Sequence, residues 1–197
     1  MATLKIAVTG GIGSGKSTVT EILKDLGYKT FSCDKIAHAL YKKDFVKDIL
    51  VKEFGEEILN SYGRVCRRRL GQTVFKDKEK LKKLNSLTHP IIIDELYKKI
   101  DAVKGVAIAE VPLLFECKME NHFDKVLVVT RPLEDRINAV INRDKTKREK
   151  VLDRIKNQID YENLKNDNHI IISNDASLEN LKASVKAVIE KIIEEKN

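Results

Sequence analysis

The junction near the N-terminus constrains this chain more than any other stretch. A β-prone apolar run, Leu4-Lys5-Ile6-Ala7-Val8-Thr9, passes into Gly10-Gly11-Ile12-Gly13-Ser14-Gly15-Lys16-Ser17. A helical stripe of Val19, Ile22, Leu23 and Leu26 follows at spacing i, i+3, i+4, i+7, and Gly27 stands where a left-handed C-cap is expected. The glycine-rich segment fits G-x-x-x-x-G-K-[S/T] at every specified position, a match with a chance probability on the order of 1% in a chain of this length. Glycines let the backbone close around phosphate with successive N–H groups pointing inward, and the helix beginning near Lys16 adds the positive end of its dipole. Lys16 then reaches the β- and γ-phosphates of ATP, and the Ser17 hydroxyl is placed to ligate Mg2+.

The rest of the chain alternates strands and helices. Strands are expected at Tyr28–Cys33, Val106–Val111, Lys125–Thr130 and Ile170–Ile172, giving five with the first. The residues between Asp34 and Lys104 read as mostly helical and basic. Phe45, Ile49, Leu50 and Phe54 mark one helix, followed by Arg67-Arg68-Arg69-Leu70 and a Lys-rich helix from Asp77 to about Leu87. Pro90 suits the first turn of a separate helix capped by Thr88 or His89, with Ile93, Leu96, Tyr97 and Ile100 on its buried face. Pro132 opens another helix, with Leu133, Ile137, Val140 and Ile141 on one face. Arg143 to Lys156 carries seven Lys or Arg in fourteen residues and reads as an exposed, mobile or ligand-facing segment. Leu178, Leu181, Val185, Val188 and Ile192 line a closing helix capped by Ser177. This order predicts an α/β, three-layer P-loop fold around a five-stranded parallel sheet.

Sheets of that kind bind ligands at the carboxyl ends of their strands, where Gly10, Asp34, Val111-Pro112 and Arg131 gather. Asp34 has two readings: a carboxylate that accepts a substrate proton or holds water on Mg2+, or an N-cap. Glu110 is either a metal-organising carboxylate or an ordinary strand end. The Arg67–Arg69 run, and likewise Arg143, binds an anion or faces solvent.

Composition narrows the partners. The 197 residues are 42% apolar and 34% charged, with a net charge of +7, which fits a globular domain and an anionic partner without naming one. Cys33, Cys66 and Cys117 are too scattered for a disulfide framework or a zinc site, and no apolar run is long enough to cross a membrane. With no signal-peptide layout, the chain reads as cytoplasmic. Aromatics are 6% with no tryptophan and no nucleic-acid motif, and the Asn-Lys-x-Asp of GTPases is missing. Neither nucleic acid nor membrane is an expected partner, and a monomer is expected.

Several short motifs together resemble the dephospho-coenzyme A kinase family: Val8 to Thr18, Asp34 with Ile36-Ala37, Arg67-x-x-Leu70-x-x-x-Val74-Phe75, His89-Pro90-x-Ile92, Val111-Pro112-Leu113-Leu114-Phe115-Glu116, Arg143-Asp144, Arg154-Ile155-x-x-Gln158 and Asn174. The resemblance implies transfer of the ATP γ-phosphoryl group to the ribose 3′-hydroxyl of dephospho-CoA, with Mg2+. Another small-molecule P-loop kinase is the alternative. It implies one kinase domain, 1–197, with core 1–33, 105–142 and 166–197, an acceptor-binding helical insertion 34–104, and a lid 143–165. It assigns Lys16, Asp34 and Arg143 to catalysis and Gly11, Gly13, Ser14, Gly15, Lys16, Ser17, Thr18 and Asn174 to the nucleotide. Asp34, Arg67 and His89 fall to the acceptor, and Ser17 to the metal, with Asp34 or Glu110 through water. The chain departs from the family pattern at Ser32-Cys33, Cys66, Glu110, Arg136, Ala139 and His169.

Overall fold

The computed structural model describes residues 3–161, 164 and 169–196. Five parallel strands form one sheet: β1 Leu4–Gly10, β2 Lys29–Ser32, β3 Val106–Glu110, β4 Lys125–Thr130 and β5 His169–Ser173, in the order β2-β3-β1-β4-β5. β1 pairs with β3 on one side and β4 on the other, so the strand order reverses at β1. Leu4, Ile6 and Val8 alternate onto one face and pack with Leu127, Val129 and Ile172. That face is covered by α1 (Lys16–Asp25) through Val19, Ile22 and Leu23, and by α8 (Leu178–Glu194) through Leu181, Val185, Ile189 and Ile192.

Local chemistry sets the ends of these elements. Gly27, at φ 96°, closes α1: its N–H donates to Lys24 O and that of Tyr28 to Leu23 O, the paired bonds of a Schellman turn. Ser177 Oγ accepts the Asn180 N–H at the start of α8. Leu178, expected on the buried face of α8, is instead exposed.

The chain divides into two compact units, one of residues 1–31 and 100–197 and one of 32–99. The second contains α2 (Cys33–Leu40), α3 (Asp44–Phe54), a 3-10 turn at Glu56–Ile58, α4 (Arg67–Val74) and nearly all of α5 (Lys78–Asp101). Here three expectations need correction. Val46, not Phe45, is the buried anchor of α3, with Leu50 and Phe54. α2 starts at Cys33 with Ser32 as its N-cap, so Asp34 sits in the first helical turn and caps nothing. Pro90 does not open a new helix, because α5 runs through it unbroken. Proline inside a helix forfeits one backbone bond, about 3 kcal/mol. Burial of Leu84, Thr88 and Leu96 along one side offsets that loss, and Thr88 Oγ1 donates to Leu84 O rather than capping.

The basic segment after Arg143 also departs from expectation. α6 (Leu133–Asp144) turns through Lys145, in the left-handed region at φ 49°, into α7 (Arg148–Lys156). Val151 is fully buried, packing with Ile137 and Val140, and Leu152 and Ile155 flank them. The charges of this segment occupy the outer face of a helix whose inner face is apolar. Leu133, expected inside, is half exposed. No helix among the described residues is long and apolar enough to cross a membrane.

Candidate active site

The carboxyl ends of β1, β3, β4 and β5 form a common edge: Val8 lies beside Glu110, Gly10 beside Val129 and Thr130 beside Ser173. The loop leaving β1 runs along this edge and enters α1 through Gly15, at φ 98°. The first N–H groups of α1 lack intrahelical partners by geometry and face outward from the helix start. Lys16 Nζ donates to the carbonyls of Gly10 and Gly11 at 2.7 and 2.9 Å, folding its ammonium over the loop.

Three side chains from distant segments brace the loop. Asn174, just beyond β5, donates from Nδ2 to Ser14 O at 2.9 Å. Arg136, on α6, donates from Nε to Ile12 O at 3.0 Å. Gln158, beyond α7, accepts the Ile12 N–H at 2.8 Å. A Cβ on Gly13 would collide with the main chain of Arg136, so this glycine serves close approach as well as its φ of 77°. Ser17 Oγ donates to Glu110 Oε1 at 3.0 Å, joining the expected metal residue to the acidic end of β3. Two hard oxygen donors this close suit Mg2+, which keeps most of its ligands as water and phosphate.

Arg143 lies on the exposed last turn of α6. Its Nε donates to Asp144 Oδ1 at 2.8 Å, and Arg154 Nη1 donates to Asp144 Oδ2 at 3.1 Å. The Arg143 hydrogen bond, with Arg154 in support, holds the Asp144 carboxyl below its ordinary range. Arg148 makes a bidentate pair with Glu134. Tyr161 donates to Glu116 at 3.1 Å, and burial, with the charge and hydrogen bond of Glu116 in support, pushes its phenol well above the ordinary value. Glu116 also accepts from Ile159 N, so the end of the Pro-Leu-Leu-Phe-Glu motif anchors the chain just after Gln158.

In the second unit, the charges of Asp34 and Arg67 both act on the Tyr41 hydroxyl. Burial raises the Tyr41 pKa; its hydrogen bond to Thr88 and the charge of Arg67 oppose that rise, and the charge of Asp34 adds to it. Arg67 Nη1 donates to His38 Nδ1 at 3.3 Å, which fixes the hydrogen of a neutral His38 on Nε2. His38, Tyr41, Lys47, Arg64 and Arg67 line a cavity of about 560 Å³. His89 is half-buried within α5, and burial lowers its pKa. Cys66 is the N-cap residue of α4, and its thiol pKa is lowered chiefly by the Arg69 backbone N–H. His38, Tyr41 and Arg136 were not singled out as site residues from the sequence. The i, i+4 spacing of Asp34 and His38 on one helix was the available signal for His38; nothing local pointed to Arg136.

A parallel sheet with a Gly10–Ser17 cradle opening a helix at the edge where strand order reverses defines a P-loop phosphate-binding fold of the kinase type. The dephospho-CoA kinase family model matches residues 4–180. The chain belongs to that family. It is 39% identical to a Fusobacterium nucleatum dephospho-CoA kinase, over 98% of this chain and 100% of that one. Among solved structures it resembles TT1252 from Thermus thermophilus (TM-score 0.83, 34% identity, 97% of this chain and 98% of that). It also resembles the dephospho-CoA kinase from Campylobacter jejuni (TM-score 0.66, 32% identity, 96% and 97%).

Proposed function

We propose that this chain transfers the γ-phosphoryl group of ATP to the ribose 3′-hydroxyl of dephospho-CoA, giving CoA and ADP. The observation that carries the reading is the braced Gly10–Ser17 loop, with Ser17 bonded to Glu110, in a chain matched by the family almost end to end. Gly11, Gly13, Ser14, Gly15 and Thr18 cradle the phosphates, and Asn174 keeps Ser14 in register. Lys16 leaves the loop carbonyls for the β- and γ-phosphates, where its charge offsets that of the transferring group. Ser17, with Glu110 or Asp34 through water, would hold Mg2+, which would neutralise phosphate charge. Asp34, exposed in the first turn of α2, accepts the proton of the attacking hydroxyl or orders water on the metal.

Arg67 binds the acceptor, with His38 holding its guanidinium, and His89 lies on the acceptor side. Residues 34–104 act as the acceptor-binding insertion and 143–165 as a lid presenting Arg143. Residues 162, 163 and 165 of that lid, and 166–168 and 197 of the assigned core, lie outside the described residues, as do 1 and 2. An ATP-coupled assay across dephospho-CoA, AMP, CMP, adenosine and 4′-phosphopantetheine tests the reading. Mg2+-dependent ADP release with dephospho-CoA alone is expected. Equal or greater turnover with AMP or CMP would overturn it.

A further inference from the structure

We infer that Ile12 is the joint through which the α6–α7 hairpin sets the shape of the phosphate loop, with Arg136 and Gln158 as the positioning residues. The inference rests on reading the 10–17 loop as the ATP-phosphate site. Every handle of Ile12 is taken from the hairpin side. Its C=O accepts from Arg136 on α6, and its N–H donates to Gln158 beyond α7. Its side chain packs against the apolar cluster of Ile137, Val140 and Val151 that joins the two helices. The fit is close on either side of it as well. A Cβ on Gly11 would strike the Arg136 guanidinium, and one on Gly13 would strike the Arg136 main chain.

The physical need is plain. A phosphate cradle works when N–H groups point in and carbonyls point out, since an inward carbonyl opposes the anion. Arg136 holds the Ile12 carbonyl with a charged donor and lays its guanidinium along the loop. Gln158 holds the other side of the same residue, and is itself fixed by the Glu116 anchor on Ile159 and Tyr161. A shift of either helix therefore moves Ile12 and, with it, Gly13. By reciprocity, phosphate binding at the loop biases the packing of the hairpin.

Arg136→Met, Arg136→Lys, Gln158→Leu and the Met/Leu double variant test this. Amide exchange at Ile12 is followed by NMR without nucleotide, and KM for ATP and for dephospho-CoA are measured separately from kcat. Gln158→Leu removes the acceptor and speeds Ile12 exchange. Arg136→Met speeds it as well, although Arg136 does not bond that N–H. Each raises the ATP KM about five- to tenfold, the scale of one ordinary net hydrogen bond, and leaves the dephospho-CoA KM in place. Arg136→Lys recovers part of the loss by keeping one charged donor. The double variant loses less than the two singles summed, because both bonds hold the same residue and Ile12 is released only once. Wild-type Ile12 exchange in Arg136→Met would overturn the inference. So would additive losses in which the ATP and dephospho-CoA KM rise together. If the wild-type protein failed to bind ATP, the nucleotide reading would fall, while the exchange rates would still decide the Ile12 joint.

Discussion

The phosphate loop and the surface around Arg67 are built on opposite principles. The loop presents backbone N–H groups, and its side-chain partners (Asn174, Arg136, Gln158) serve to hold that backbone still. The Arg67 surface presents side chains from α2 and α4, exposed and tied by single hydrogen bonds such as Arg67 to His38. A backbone site needs its residues in one unbroken run, so it is written as a motif. A side-chain site draws on helices far apart in sequence and leaves only scattered letters. On the function proposed above, the first kind tolerates little change in shape and governs the chemical step, and the second tolerates more and governs affinity for the acceptor.

Two substitutions probe the chemical side of that contrast. Asp34→Asn should lower kcat by about 10²–10⁴-fold while both KM values stay near wild type, the range for general-base help. Asp34 caps nothing, and its charge in the first turn of α2 adds only about 0.3–1 kcal/mol through the helix dipole, so the fold should survive the change. A defect confined to KM would reduce it to a binding residue. Lys16→Ala should lower kcat by roughly a hundredfold or more with an unchanged circular dichroism spectrum. Near-normal turnover would mean that the loop is only structural.

Arg67→Ala tests the other side. The loss should fall on the dephospho-CoA KM, by about tenfold, the worth of one charge-assisted hydrogen bond, with the ATP KM unmoved. A matched rise in the ATP KM would erase the division of labour between the two regions. His38→Asn should give a smaller rise in the same constant, since the asparagine carbonyl still accepts from Arg67.

How far each part was legible follows from the same contrast. β4 runs from Lys125 to Thr130 as read, and Gly27 and Ser177 cap as their residue types require, because these are local signals. Pro90 misled, since the local preference against helix lost to tertiary burial along α5. α7 was read as bare charge, although Val151, Leu152 and Ile155 already formed an apolar stripe. The stripe of Phe45 with Ile49, Leu50 and Phe54 is one position out at its start, because the i, i+4, i+8 phase of Leu50 and Phe54 gives the inward position to Val46. At the site, Lys16, Ser17 and Glu110 follow from strand ends and a motif. The grip on Ile12 does not, because its partners lie 124 and 146 residues away and no periodicity connects them.

The smallest expected effect sharpens the contrast within the first unit. Asp144 is a side-chain knot like the Arg67 surface, joining Arg143 and Arg154 on the outer face of the hairpin. Its carboxyl is depressed in the folded protein, chiefly by the hydrogen bond from Arg143. The stabilisation it gives is thus complete above the ordinary carboxylate value of 3.8 and fades as pH falls through the lower folded value. Exposed pairs of this kind are worth about 0–1 kcal/mol, which in a chain of this size moves Tm by roughly 2–4 °C at most. Asp144→Asn should therefore melt slightly below wild type near neutral pH, and the two curves should converge as pH falls below about 3.8, the ordinary aspartate range. The inner side of the hairpin should not notice, since Val151 is apolar and Ile12 is held by Arg136 and Gln158 rather than by Asp144. A gap that persists in acid, or an ATP KM that rises with it, would show that the outer charges also set the loop.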